Sequence, residues 1–248
     1  MPTRITGLVV AAAAGVTGLA LIGSPAFADT TPTPTPSPSP SSTAKAHTPR
    51  TLAEVQAAGA KATGDRETKL SAAITKVTGD KSLSSSDRST ILGTLNADLA
   101  AMKSSASAIA ADTTITQAEA DLKEVYSKYR VYAVALPQAR LAADADRLTG
   151  TALPKLTKEQ STLAGLLAGK DKAKSTAALQ SDLSDMSKQI ATASHDASGQ
   201  ASAALAVTPS AYDSNHSALS SVKSSLESAR TAAKKAASDA KTIRQALK

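Results

Sequence analysis

The chain has 248 residues, a net charge of +7, and neither cysteine nor tryptophan. The missing thiols exclude disulfides and thiol-linked lipids. Aromatic residues make up 2 % of the chain, while alanine and leucine, strong helix formers, are abundant, so composition favours an all-α fold over sheet.

The N-terminus reads as an export signal. Arg4 precedes the apolar run "LVVAAAAGVTGLALIG", and Ala26-Phe27-Ala28 has the small-x-small form of a cleavage site. Cleavage after Ala28 is expected, with residues 1–28 as signal peptide. The alternative is an uncleaved anchor, since Ile5 to Ile22 comes close to spanning ~30 Å of hydrocarbon. Export places the mature chain outside the cell or on its wall. Residues 29–50 follow, including "TTPTPTPSPSPSSTAKAHTPR". Alternating proline favours extended polyproline II, and the serines and threonines bury nothing, so this tract reads as a stiff, solvated spacer and a candidate for O-glycosylation.

Residues 51–248 carry helical periodicity throughout. Helices are predicted at 52–78, 85–110, 117–149, 151–168, 172–206 and 216–247. The first is the weakest, with Gly59 and Gly64 inside it. The second carries a seam of Leu92, Leu95, Leu99, Met102, Ala106 and Ile109. The third carries Ile115, Ala118, Leu122, Val125, Tyr129, Tyr132 and Leu136. Leu179, Leu183, Met186, Ile190, Ala193 and Ala197 repeat the pattern. In the last helix Leu219, Val222, Leu226, Ala229, Ala233, Ala236, Ala240, Ile243 and Leu247 alternate spacings of three and four without a break.

Boundary signals agree with these spans. Thr51-x-x-Glu54, Ser84-x-x-Asp87 and Thr116-x-x-Glu119 have the form of capping boxes or close variants, and Asn215 is placed to cap the last helix. Gly79, Gly150 and Gly169 suit C-terminal caps, and Pro209 is a stop. The fold expected is an elongated antiparallel bundle with coiled-coil-like alanine and leucine seams, built on a long central helix kinked at Pro137. Residues 117–168 form either one kinked helix or two. The two flanking hairpins would make three-helix halves, 51–149 and 137–248, that share the central helix.

Three of the four tyrosines fall together, at 126, 129 and 132. Tyr129 and Tyr132 lie on the seam, so they are predicted to supply large apolar area to an alanine-rich core. Pro137 removes the hydrogen bond to the carbonyl of Ala133 and bends the helix. The competing reading is a ligand pocket beside the kink, using Tyr126, Arg130 and Arg140.

The stretch "YRVYAVALPQARLAADADRL" resembles one that recurs in alanine-rich secreted helical proteins of high-GC Gram-positive bacteria. "VTPSAYDSNHSAL" is similar to their second recurring segment. That resemblance implies export and a coiled-coil-like helical architecture. The family carries no established activity and no functional residues to transfer.

Patterns for catalysis are weak. His47, His195 and His216 are far apart, and His195 and Asp196 are adjacent on a helix, ~100° apart, so they form no dyad. Without cysteine or His-x-x-x-His no metal site is expected. Ser220-x-x-Lys223 and Ser238-x-x-Lys241 lack the partner motifs of a serine acyl enzyme. No glycine-rich phosphate loop is present. The expectation is a non-enzymatic chain without cofactor.

Charge is more informative. From Ser217 to Lys248 there are seven basic residues and two acids, a net of 7 − 2 = +5. Lys223, Arg230, Lys234, Lys241, Arg244 and Lys248 share one flank of the last seam. The plain reading is a solvated face that keeps an alanine-rich helix soluble. The functional reading is a stripe for anionic cell-wall polymers or a membrane surface. Nucleic acid is not expected outside the cell, and a protein partner and the oligomeric state stay open. A secreted envelope scaffold contacting polyanions is the first functional reading; an extracytoplasmic carrier of an amphipathic small molecule or lipid is the second.

Overall fold

The computed structural model describes residues 50–248; the expected signal peptide and nearly all of the Pro/Thr/Ser tract lie outside the described residues. All regular structure among the described residues is helical. Nine α-helices follow in order: α1 Leu52–Gly79, α2 Ser85–Ala111, α3 Ile115–Ser127, α4 Leu136–Arg147, α5 Leu153–Ala168, α6 Ala177–Ala197, α7 Gln200–Leu205, α8 Pro209–Ser214 and α9 Ser220–Ala246. The chain is all-α, with helices packed directly on one another.

Helix starts follow the hydroxyl signals. Thr51 and Glu54 close a reciprocal capping box on α1, and the Ser84 hydroxyl accepts from the Asp87 N–H on α2. On α3 the cap is Thr114, which accepts from the Gln117 N–H, two residues before the predicted Thr116. Gly169 ends α5 as expected, donating to the Gly165 and Leu166 carbonyls.

The central helix differs from expectation. The break is not at Pro137 but at Lys128–Arg130, where Arg130 takes a left-handed φ of 44°. From Val131 the chain is continuously helical to Ala168, through two π-helical turns, Val131–Ala135 and Leu148–Ala152. In each the wide i→i+5 hydrogen bond is present, from the Leu136 N–H to the Val131 carbonyl and from the Leu153 N–H to the Leu148 carbonyl. Each π turn stands just before a Leu-Pro pair, Leu136-Pro137 or Leu153-Pro154. The wider turn gives the pyrrolidine ring room that an α-helical carbonyl four residues back would deny it. Pro137 and Pro154 therefore sit in the first turns of α4 and α5, each directly after a π turn. Gly150 lies inside the second π turn and ends nothing.

Two other spans are shorter than predicted. The helix expected at 172–206 is divided at Gly199, whose φ of 71° suits a residue without a Cβ. Pro209, expected as a stop, is the first residue of α8, behind the Thr208 cap. Asn215 holds a turn through the Ser217 N–H, and α9 begins at Ser220.

Three apolar cores result. The first joins α1, α2, α3 and the start of α4 through Val55, Leu70, Ile91, Leu95, Met102 and Val125. The second joins the α4–α5 junction to α6, α7 and α9 through Leu148, Leu153, Ala193, Val222 and Leu226. The third joins α5, α6 and the end of α9 through Leu163, Leu167, Met186 and Ile243. The α9 seam is buried from Leu219 to Ile243 as predicted. α4 serves two cores, with Ala139 and Ala142 in the first and Ala145 in the second. The α1–α2 hairpin packs on α3 and the start of α4, and α6 and α9 pack on α5.

Candidate functional site

The six basic residues predicted on α9 do not behave alike. Arg230 reaches α4 and lies 2.5 Å from the Asp144 carboxylate. Arg244 reaches α5 and lies 2.8 Å from Glu159. Lys223 stands 3.8 Å from Glu227, one turn on. Lys234, Lys241 and Lys248 are exposed, and among the described residues no carboxylate pairs with them. Lys234 and Lys241, seven apart, lie on one line of the α9 surface, and Lys248 follows just past the helix end at Ala246. So two arginines of the stripe bind α9 to the bundle, Lys223 pairs within its own helix, and the other three lysines face solvent.

The structure adds residues to that solvent-facing end. The Lys174 ammonium donates to the Leu247 carbonyl at 2.6 Å, so the loop after α5 lies against the end of α9. Lys170, Lys172 and Lys174 are all exposed there. Alternating lysines in "GKDKAK" were visible in the sequence. Only the tertiary path brings them beside Lys248.

The predicted pocket trio is not brought together. Tyr126 stacks on Arg66, Arg130 pairs with Asp213 at 2.6 Å, and Arg140 lies on α4. Tyr132, predicted in the core, is 46 % exposed. The break at Lys128–Arg130 rotates it off the seam, and Val131 and Val134 take the buried places instead. Tyr129 is half-buried against the first core.

Residues 129–148 and 207–219 meet around α4. Arg130 holds Asp213 of α8, and the buried Gln138 amide donates to the Ala204 carbonyl at 2.9 Å and also to the Val207 carbonyl. Beside them the Asp144 carboxylate takes Arg230 and, at 3.5 Å, Arg147. Arg147 also reaches Asp80 at 3.1 Å. Hydrogen bonds from Ser82, with Arg147 adding its charge, hold the Asp80 carboxyl below the usual carboxylate range. Asp146 accepts from the Ser84 N–H at 2.7 Å, at the start of α2, yet burial pushes its carboxyl up. These contacts tie the halves together across α4.

Grooves flank α4. On the α9 side one of about 580 Å³ is floored by Leu136, Pro137, Leu141, Leu219 and Leu226. On the α1 side one of about 640 Å³ is floored by Ala73, Val77, Leu83 and Ala139. Arg140 and Asp144 border both.

Among the described residues no group of three or more His, Asp or Glu is placed to hold a metal ion. No described helix is long and apolar enough to cross a membrane. The chain matches no family model, and neither a curated protein nor a solved structure matches it.

Proposed function

We propose that this chain is an exported, non-enzymatic helical scaffold of the cell envelope that contacts anionic polymers through the lysine-rich end of α9. The observation that carries this reading is the row Lys234, Lys241 and Lys248, exposed and without acid partners among the described residues. Lys170, Lys172 and Lys174 extend it. Like charges gathered on one surface raise the local concentration of polyanions, and exposed ammonium groups bind by charge with little desolvation cost. The export signal in residues 1–28 and the resemblance to secreted alanine-rich proteins support the location. Anionic cell-wall polymers are the partner class favoured, ahead of a lipid surface.

The test is cosedimentation with purified cell walls. Reversing Lys234, Lys241 and Lys248 to glutamate abolishes binding on this reading and leaves helix content unchanged, since all three lie off the seam. Arg244 is left intact, because reversing it would set two carboxylates against each other at Glu159. Undiminished binding by the triple variant contradicts the reading. The second reading, a carrier of amphipathic molecules, rests on the apolar floor of the groove between α4 and α9. It predicts saturable uptake of a fluorescent fatty acid that bulky replacement of Leu141 blocks.

A further inference from the structure

Arg66 is 7 % exposed and has no carboxylate within ion-pair distance among the described residues. Its guanidinium makes one hydrogen bond there, from Nη1 to the Ala62 carbonyl at 2.8 Å, and its Nε is buried without a partner. A guanidinium carries five N–H donors, so most of this group's capacity is unspent. Desolvating a cation without a counter-charge is costly. Two rings offset part of that cost: the guanidinium carbon lies 4.5 Å from the Tyr126 ring centroid and 4.9 Å from that of Tyr132.

Those rings are themselves unusual. Both are among the few large apolar side chains left exposed, at 48 % and 46 %. On one continuous α-helix, residues six apart point ~120° from each other. The break at Lys128–Arg130 is what lets both reach the same guanidinium, and it includes the only non-glycine residue with positive φ among the described residues. A strained, non-glycine backbone persists where its surroundings over-determine it, and such positions cluster at functional sites. Together Arg66, Tyr126 and Tyr132 border an open slot of about 530 Å³, with Lys61 and Asp65 at its rim. Asp65 does not repel an anion strongly there, because Lys61 neutralises it at 2.8 Å.

We infer that this slot binds an acidic saccharide unit, with its carboxylate or phosphate on the Arg66 guanidinium and its ring against an exposed tyrosine. The chemistry of the slot selects that class. A guanidinium with unspent donors suits a planar or tetrahedral oxyanion. The Arg66 guanidinium already lies over both rings, so a flat aromatic ligand stacking there would have to displace it. The half-exposed rings instead offer apolar faces to the C–H face of a sugar. The inference deepens the polymer reading by naming the repeat unit, and it rests on that reading for the source of the sugar.

The chain has four tyrosines and no tryptophan, so intrinsic tyrosine fluorescence reports on the slot. The full chain is titrated with D-glucuronate, D-glucose 1-phosphate, D-glucose and inorganic phosphate. Saturable quenching by an acidic sugar, at least about tenfold tighter than by glucose or phosphate, is expected. Tyr126→Leu should weaken it about tenfold, Arg66→Lys should weaken it too, and Tyr212→Leu should not. No saturable change with either acidic sugar overturns the inference. Equal affinity for glucose or for inorganic phosphate overturns it, as does full binding by Tyr126→Leu. The two arms separate from the polymer test: the slot variants keep the α9 lysines, and the lysine reversals keep the slot. Loss of wall binding in the lysine variant with sugar binding intact leaves the slot standing, and the converse leaves the lysine row standing.

Discussion

Arg230 of α9 places a guanidinium nitrogen 2.5 Å from the carboxylate of Asp144 on α4. The Asp144 side chain is 17 % exposed, so water screens this pair less than it does Lys223 and Glu227, both more than half exposed. A residue that looks like part of a polyanion stripe is in fact a strut between helices. Arg230→Ala should therefore cost about 1–2 kcal/mol, below the ~1.5–3 of a fully buried charged hydrogen bond because the arginine is partly solvated. Lys223→Ala should stay within ~0.5 kcal/mol. Urea melts of the two variants measure the difference; equal losses would mean the strut contributes no more than an exposed pair.

Gly59 and Gly64, both inside α1, should respond in opposite directions to alanine. A Cβ on Gly59 would fall 2.6 Å from Cγ2 of Ile109, whereas one on Gly64 meets nothing within 4 Å. Overpacking costs ~1–3 kcal/mol, more than the ~1 kcal/mol that alanine gains in helix propensity. Gly59→Ala should thus destabilise, and Gly64→Ala should stabilise by ~0.5–1 kcal/mol. Thermal melts decide it. Stabilisation by both substitutions would mean that Ile109 yields at little cost.

The same glycine shows where the sequence was legible and where it was not. On α9 the apolar period is unbroken, so every seam residue from Leu219 to Ile243 was placed correctly from spacing alone. On α1 Gly59 reads as a weakness, because its purpose is a contact with Ile109, fifty residues away. Around Tyr132 the period is misleading. It assumes one continuous helix, and a left-handed Arg130 leaves no signature in the residue types. Pro137 was a sound signal for departure from α-helical geometry, which takes the form of a π turn just before it. The basic residues of α9 were all visible, yet that Arg230 and Arg244 are tied up depends on Asp144 and Glu159 in other helices.

Burial pushes the Asp98 carboxyl up to about 6, from an ordinary 3.8. A folded-state value above the unfolded one means the native chain binds the extra proton in that interval. Stability from this group is thus full below about pH 4 and is lost as pH rises through about 6. Asp112, Asp146 and Asp239 shift in the same direction, also chiefly by burial. Asp98→Asn should match the parent near pH 4, exceed its melting temperature at pH 7, and show a shallower slope between. A parent whose stability is flat across this window, with no gain in the variant at pH 7, would place Asp98 in water.

Salt dependence of wall binding tests the central claim most directly. The proposed contact is made by exposed lysines, so it should fade as the Debye length shrinks from ~10 Å at 0.1 M to ~3 Å at 1 M. Cosedimentation of the chain with purified cell walls across that series should show strong binding at the low end and almost none at the high end. Binding that persists unchanged at 1 M salt, or no binding at 0.1 M, would contradict the account.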